Sequence, residues 1–146
     1  ARQIVVLRAC GRYLLQTGLP FSQAYMERVL AANAAIAADL VRLFETRLDP
    51  GAPDRGRAAR ASRIAAALAR RLQSVGSADD DRILRAFLAV IMGTLRSNFW
   101  QRGEDGAPRP ALALKLDPAG IPGLPLPRPR FEIFVYSPAV EGVHLR

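Results

Sequence analysis

The chain has 146 residues, of which 50% are hydrophobic and 23% charged, with a formal net charge of +8 and one cysteine. This length suits one domain with a buried core. A single cysteine excludes an internal disulfide, and no apolar run reaches the ~18–20 residues that a membrane span needs or has the layout of a signal peptide. The positive charge is almost all arginine spread along the chain, so composition alone does not indicate nucleic-acid binding.

The first half of the sequence predicts helices that are separated by clear stop signals. Helix one is predicted over residues 2–16 and ends at Gly18, which can adopt a left-handed cap. The second helix begins after Ser22, a residue type favoured at the N-cap. Asn33 is interpreted as a break and as the cap of a further helix, which the segment 49–53 stops with two prolines and a glycine. Apolar residues recur at helical spacing in each of these segments.

Two more helices follow, and the second of them is the strongest helix prediction in the chain. The helix predicted over residues 54–73 has an apolar stripe and, on another face, the arginines Arg60, Arg63, Arg70 and Arg71. The next helix begins at Ser77, and the carboxylates of Asp79, Asp80 and Asp81 suit its N-terminus. Its apolar stripe runs from Ile83 to Phe99, which predicts a helix that continues through Phe99.

From about residue 102, proline and glycine punctuate short extended runs. Residues 111–117 are a strand candidate, residues 118–129 are too rich in proline for regular structure, and residues 131–136 are β-branched and aromatic, which predicts a strand. Residues 142–145 are placed beside that strand after a turn at Ser137-Pro138. Two or three strands alone are marginally stable, so they are interpreted as part of a larger sheet.

The predicted fold class is therefore mainly α, with four or five helices in residues 2–101 and a short C-terminal β segment, α+β overall. The predicted organisation is a helical module over residues 1–101, a Pro/Gly-rich connector over residues 102–130, and the start of a sheet over residues 131–146. Because Ala1 is not an initiator methionine and Arg146 follows directly on a predicted strand, both ends are interpreted as boundaries inside a longer protein.

Few residues in the sequence suggest chemistry. Cys10 lies on the apolar side of helix one and is interpreted as a buried hydrophobe. His144 has no second histidine or cysteine with which to hold a metal. Asp79, Asp80 and Asp81 lack the spacing of a calcium loop, and the glycines form no phosphate-binding motif. No catalytic, cofactor-binding or metal-ligating residue is therefore predicted.

The arginine face of the helix predicted over residues 54–73 leaves a second interpretation open. The guanidinium groups of Arg60, Arg63, Arg70 and Arg71 can bind phosphates or an acidic lipid surface. The face lacks the interleaved aromatic residues on which bases stack. The alternative function is therefore an independent basic helical module that binds nucleic acid or acidic lipid through these four residues.

Several strings of the sequence, taken together, resemble one enzyme family. The longest lies at the C-terminal end, and shorter ones occur in the family's order along nearly the whole chain. These strings are Pro127–Pro138, Val140–Arg146, Leu19–Gln23, Phe44–Pro50, Thr94–Gln101 and Lys115–Pro118. On these residues the chain resembles the large NAD-specific glutamate dehydrogenases, in the part immediately before and entering the catalytic domain.

The resemblance implies a function for the full-length enzyme. That function is oxidative deamination of L-glutamate to 2-oxoglutarate and ammonia, with NAD as the hydride acceptor, in a cytoplasmic homo-oligomer. The family's catalytic lysine and its nucleotide fold come later, and Lys115 matches a different string. The resemblance thus implies that this chain is a structural and interdomain element with no catalytic or cofactor residue. Its partners would be the other domains of the same polypeptide, with neither membrane nor nucleic acid involved.

Overall fold

Five helices precede four strands in the structure, a computed structural model that describes residues 3–121, 124, 128–137 and the backbone of residues 141–145. The helices are α1 (Gln3–Gln16), α2 (Gln23–Ala32), α3 (Ala34–Leu48), α4 (Arg57–Leu72) and α5 (Ala78–Gly93). The strands are β1 (Thr94–Ser97), β2 (Leu112–Leu116), β3 (Glu132–Tyr136) and β4 (Glu141–Leu145), with a 3₁₀ turn at Pro118–Gly120. The predicted fold class, mainly helical and α+β overall, is confirmed.

Capping residues set most of the helix ends where the sequence predicted them. The hydroxyl of Ser22 accepts a hydrogen bond from the backbone N–H of Tyr25 at 3.1 Å, and the hydroxyl of Ser77 accepts one from the N–H of Asp80 at 3.3 Å. Each bond satisfies an N–H that the first turn of a helix leaves without a partner. Gly18 follows α1 with a φ of 84°, the left-handed conformation expected of it.

Asn33 marks the break between α2 and α3, and its side chain bonds to the helix that precedes it. The break itself is confirmed, since α2 ends at Ala32 and α3 begins at Ala34. The Asn33 side chain makes no capping bond to α3 and instead donates from Nδ2 to the carbonyl of Val29 at 2.9 Å. Asn33 is therefore the N-cap residue of α3, as predicted, while its side-chain amide closes the end of α2.

Helix α5 is the centre of the hydrophobic core. It packs against each of the other four helices and against β1. Its inward residues are fully buried, and the same cluster continues into the sheet through Leu114 and Phe134. Helices and sheet thus share one core in the described part of the chain, so removing apolar surface in one layer affects the other.

The four strands form an antiparallel meander in the order β1-β2-β3-β4. The strands predicted at residues 111–117 and 131–136, and the pairing of residues 142–145 with the latter, are confirmed. Leu114 lies opposite Phe134 and Leu116 lies opposite Glu132, and all four side chains are buried. Residues that face each other across an antiparallel pair point to the same side of the sheet. A carboxylate is therefore placed on the apolar face that covers the helices.

The prediction that the last helix runs through Phe99 is wrong. Helix α5 ends at Gly93, and the next residues form β1, which pairs with β2. The hydroxyl of Thr94 donates to the carbonyl of Val90 at 2.7 Å, and the N–H of Asp117 donates to the carbonyl of Gly93 at 2.8 Å. These bonds to the last turn compete with continued helix, and a hydrophobic stripe cannot reveal them.

Three further predictions bear on how the chain is organised. The sheet already begins at Thr94, before residue 101, while the division into segments at residues 101 and 130 stays a prediction. The turn predicted at Ser137-Pro138 falls partly on residues 138–140, which lie outside the described residues. No helix in the described part of the chain is long and apolar enough to cross a bilayer.

The close approach at the end of α5 gives a testable prediction. A Cβ atom at Gly93 would lie 3.2 Å from the carbonyl oxygen of Asp117 and 3.5 Å from the side chain of Ile121. Gly93→Val should lower the free energy of unfolding by about 2 kcal/mol, as overpacking does elsewhere. Gly76→Val is the matched control, since nothing lies within 4 Å of its Cβ position. Equal urea midpoints for the two variants would contradict this close packing at Gly93.

Candidate functional site

A set of contacts joins the first three helices to the rest of the chain, and we call this set the junction. It comprises the side-chain contacts that α1–α3 make with α4, α5, the sheet and the segment that follows β1. The described residues contain no group of three or more His, Cys, Asp or Glu side chains that could hold a metal ion. The junction is the candidate functional element because its buried polar contacts hold the helices to the sheet.

The most deeply buried polar contact of the junction joins α1 to β3. The hydroxyl of Tyr13 donates to Oε1 of Glu132 at 3.2 Å, and these side chains belong to residues that are 1% and 3% exposed. The ring of Tyr13 also meets Phe134 edge to face, with centroids 5.6 Å apart. A buried carboxylate without a hydrogen bond would be costly, so Tyr13 is what permits Glu132 to occupy an inward position of the strand.

Burial shifts the titration of both groups in this pair. It raises the pKa of the Glu132 carboxyl, and the hydrogen bond from Tyr13 opposes that rise in part. Burial also raises the pKa of the Tyr13 phenol, and the charge of Glu132 and the hydrogen bond to it add to the rise. The phenol therefore stays protonated and remains a donor through neutral pH.

A second contact of the junction closes the end of α5. Nη1 of Arg47, in the last turn of α3, donates to the carbonyl of Ile91 at 2.7 Å and to the carbonyl of Thr94 at 3.0 Å. The last carbonyls of a helix have no partner within it, and a cation at this end also interacts favourably with the helix dipole. Burial lowers the pKa of the Arg47 guanidinium. Arg47 thus stabilises the point at which helix gives way to strand.

Four more contacts extend the junction along α2 and α3. The hydroxyl of Tyr25 donates to a carboxylate oxygen of Asp80 at 3.1 Å, which raises the pKa of Tyr25. Asp39, whose side chain is 10% exposed, forms an ion pair with Arg71 at 3.1 Å. On α3, the ring of Phe44 stacks on Trp100 at 5.5 Å and meets Phe99 edge to face at 5.7 Å.

The arginine face predicted on α4 is only partly available to a ligand. Arg60 donates to the carbonyls of Arg55 at 3.0 Å and Pro53 at 3.1 Å, so it holds the loop before α4. Arg71 is paired with Asp39 in the junction. Arg63 and Arg70 are exposed to solvent. The structure therefore engages two of the four predicted residues in internal contacts and leaves two at the surface.

The other residues singled out in the sequence have structural surroundings. Cys10 is buried in the core, which raises the pKa of its thiol to about 12 and keeps it protonated. Asp79, Asp80 and Asp81 lie in the first turn of α5, as interpreted. The ammonium of Lys115 lies 4.6 Å from the centre of the Phe131 ring. The side chain of His144 lies outside the described residues.

Sequence reasoning missed the residues that make the junction. The helical pattern identifies Tyr13 only as an apolar position of helix one, and it assigns no role to Arg47 or Asp39. The sequence does indicate that Glu132 points inward, because it lies two residues before Phe134 in a strand and side chains at that spacing share a face. The partner of Glu132 is 119 residues away in the chain, and no local pattern identifies such a partner.

Comparison with known proteins places the two sides of the junction in two segments of one family. A model for the catalytic domain of bacterial NAD-glutamate dehydrogenase matches residues 67–146, and a model for helical motif 3 of glutamate dehydrogenase matches residues 1–50. Helices α1–α3 lie within the second match, whereas Glu132, Asp80 and Arg71 lie within the first. The junction is thus a set of contacts between two segments that the family models treat separately.

Curated relatives align with the chain over nearly its whole length. A protein of Mycobacterium tuberculosis named "NAD-specific glutamate dehydrogenase" is 48% identical over 146 residues. Proteins of the same name from Halomonas elongata and Pseudomonas aeruginosa are each 42% identical, over 145 and 147 residues. Each alignment covers 99% of this chain and 9% of the relative. The chain therefore spans about a tenth of the length of these relatives.

The buried pair of Tyr13 and Glu132 predicts a pH dependence of stability. Because the folded-state pKa of Glu132 is raised above its ordinary value of 4.5, stability that is fully present below that value is lost as the pH rises through the folded-state pKa. Glu132→Gln keeps an acceptor for Tyr13 but carries no charge. The free energy of unfolding of this variant minus that of wild type should therefore be larger at pH 8 than at pH 4.5, which means that the variant gains stability relative to wild type as the pH rises.

Chemical denaturation at the two pH values measures this difference. Glu104→Gln, on an exposed loop, is the matched control for removing one carboxylate, and it should follow wild type at both pH values. A Glu132→Gln variant that loses stability relative to wild type as the pH rises would contradict the predicted sign.

Arg47 gives a second prediction for the junction. Arg47→Met preserves much of the apolar stem but leaves the carbonyls of Ile91 and Thr94 without this donor. We expect the free energy of unfolding to fall by about 2 kcal/mol, as for hydrogen bonds to charged groups. Arg63→Met, at an exposed position, should change it by less than about 0.5 kcal/mol. Equal losses in the two variants would contradict the role assigned to Arg47.

Proposed function

The chain belongs to the bacterial NAD-specific glutamate dehydrogenase family, and we propose that it is the part of such an enzyme in which a helical segment is fixed to the beginning of the catalytic-domain sheet. The observation that carries this proposal is the buried contact between Tyr13 and Glu132. It links α1, in the helical-motif match, to β3, in the catalytic-domain match. In this role the chain positions other parts of the enzyme and does not itself transfer a hydride.

The contacts of the junction support a rigid connection between the two segments. Arg47 fixes the start of β1 from α3, and Tyr13 fixes β3 from α1. Both strands belong to one sheet, in which β3 also pairs with β4. Strands held at two points by a packed helical layer have few ways to shift in register. We propose that this is how the helices set the position of the sheet.

The proposed activity of the full-length enzyme is oxidative deamination of L-glutamate. Glutamate would lose a hydride to NAD, and water would release ammonia and leave 2-oxoglutarate. NAD would be the cofactor of the whole enzyme and would not bind this chain alone. We assign no catalytic, cofactor-binding or metal-ligating residue within residues 1–146.

Further proposals concern the setting of the enzyme. We propose that the partners of this chain are the remaining domains of one longer polypeptide, that the enzyme is a homo-oligomer, and that it works in the cytoplasm. The helical module over residues 1–101, the connector over residues 102–130 and the sheet start over residues 131–146 also remain a proposal. The small share of each relative that the chain covers supports the first of these statements.

The alternative function, a basic module for nucleic acid or acidic lipid, gains no support. Arg60 donates a hydrogen bond to the loop before α4, and Arg71 forms an ion pair with Asp39. The curated relatives are named as glutamate dehydrogenases. The two remaining exposed arginines, Arg63 and Arg70, resemble an ordinary solvated face. The contacts of this face therefore favour a structural role over ligand binding.

A direct test is the activity of the chain alone and within an enzyme. The purified chain should produce no NADH from L-glutamate and NAD, measured by absorbance, because the groups for hydride transfer are proposed to lie elsewhere in the polypeptide. Calorimetric titration with NAD should show no saturable binding. Glutamate-dependent formation of NADH by the chain would contradict the proposal.

A chimera supplies the positive control for this test. The matching segment of the Mycobacterium tuberculosis relative would be replaced by residues 1–146 of this chain, which is 48% identical to it. We expect the chimera to retain glutamate dehydrogenase activity, since the junction is transferred whole. A folded but inactive chimera would count against the proposed positioning role.

A further inference from the structure

A groove beside α1 carries an arrangement of charge that the junction does not use. It has a volume of about 340 Å³ and lies between α1, the loop before β2, and strands β2 and β3. Arg8 of α1 and Arg109 of the loop line it, together with Tyr136 of β3. Among the described residues that line the groove, none is Asp or Glu. Positive charge from two separate elements is thus brought to one concave surface.

Both guanidinium groups are available to a ligand. Arg8 and Arg109 are exposed, and within the described residues neither guanidinium forms a hydrogen bond or an ion pair. Arg8 and Arg109 both line the groove, so an anion bound there is attracted by two positive charges. Guanidinium is also the side-chain group best shaped to bind a carboxylate through two parallel hydrogen bonds.

The loop that carries Arg109 is held by its own hydrogen bonds. The N–H of Gly103 donates to the carbonyl of Ala107 at 2.8 Å, and the N–H of Ala107 donates to Oδ1 of Asp105 at 3.0 Å. Gly106 has a φ of 77°, which closes the turn. Arg109 itself stands between Pro108 and Pro110, which restricts its backbone to extended conformations. The backbone of Arg109 is therefore largely positioned before a ligand binds, and this lowers the backbone entropy lost on binding.

The remaining walls indicate what kind of anion fits. Val5, Leu112 and the two prolines beside Arg109 supply apolar surface, and Tyr136 can donate a hydrogen bond. An inorganic anion makes no use of apolar walls, whereas an organic acid buries its carbon chain against them. We propose that this groove is a binding site for a small organic carboxylate, whose head group is held by Arg8 and Arg109.

Binding at this groove would also connect the two matched segments. Arg8 lies in the helical-motif match, and Arg109, Leu112 and Tyr136 lie in the catalytic-domain match. A carboxylate that bridges the two guanidiniums therefore ties α1 to the sheet side of the molecule. The proposed carboxylate site depends only on the residues that line the groove and not on the reaction of the full-length protein.

The test is calorimetric titration of the chain with hexanoate, with hexanamide as its uncharged analogue and inorganic phosphate as a plain anion. Hexanoate should bind with one-to-one stoichiometry and more tightly than either of the others. Arg8→Ala and Arg109→Ala should each weaken hexanoate binding about tenfold or more. Arg63→Ala, at another exposed arginine, is the matched control and should bind hexanoate as wild type does.

Three results would overturn the proposal: no saturable hexanoate binding, equal affinity in Arg8→Ala and wild type, or phosphate binding as tightly as hexanoate. Circular dichroism checks that each variant is folded. If Arg8→Ala or Arg109→Ala unfolds, the lysine substitution at the same position is tested in its place. Lysine keeps the charge but loses the paired hydrogen bonds, so binding weaker than wild type supports the site and unchanged binding contradicts it.

Discussion

A carboxylate inside an apolar core constrains everything packed around it. Glu132 points inward from β3 among leucine and phenylalanine side chains, and the hydroxyl of Tyr13 reaches it from α1. If α1 moved away, a buried carboxyl would lose its donor, at a cost well above that of an ordinary surface contact. The interaction therefore makes the placement of the helices and the register of the sheet depend on each other.

The start of the sheet at the end of α5 likewise depends on a contact from the helices. The chain turns from helix into strand between Gly93 and Thr94 with no intervening loop. Arg47 of α3 bridges this turn, since it donates to the carbonyl of Ile91 in the last turn of α5 and to the carbonyl of Thr94 at the start of β1. Just after β1, the side chain of Asn98 extends the pairing with β2. Its amide nitrogen donates to the carbonyl of Ala111, and its amide oxygen accepts from the N–H of Ala113. The family string Thr94–Gln101 thus contains the residues that form one turn from helix into sheet.

Much of the fold could be predicted from local patterns, whereas the junction could not. Caps at Ser22 and Ser77 and the glycine after α1 act within a few residues, so the sequence reveals them. The prediction failed at Thr94 because an apolar stripe continued past the point where tertiary hydrogen bonds end the helix. Glu132 was identifiable as inward-facing, but neither Tyr13 nor Arg47 carries any local sign of its distant partner.

Native-state hydrogen exchange measures most directly whether helices and sheet form one cooperative unit. Amides of α1 beside Tyr13 and amides of β3 beside Phe134 should exchange with the same opening free energy and the same denaturant dependence, because their shared core opens only by global unfolding. Exchange of α1–α3 through a smaller opening that leaves the β2–β3 amides protected would contradict the claim. The helical segment would then rest on the sheet without fixing it.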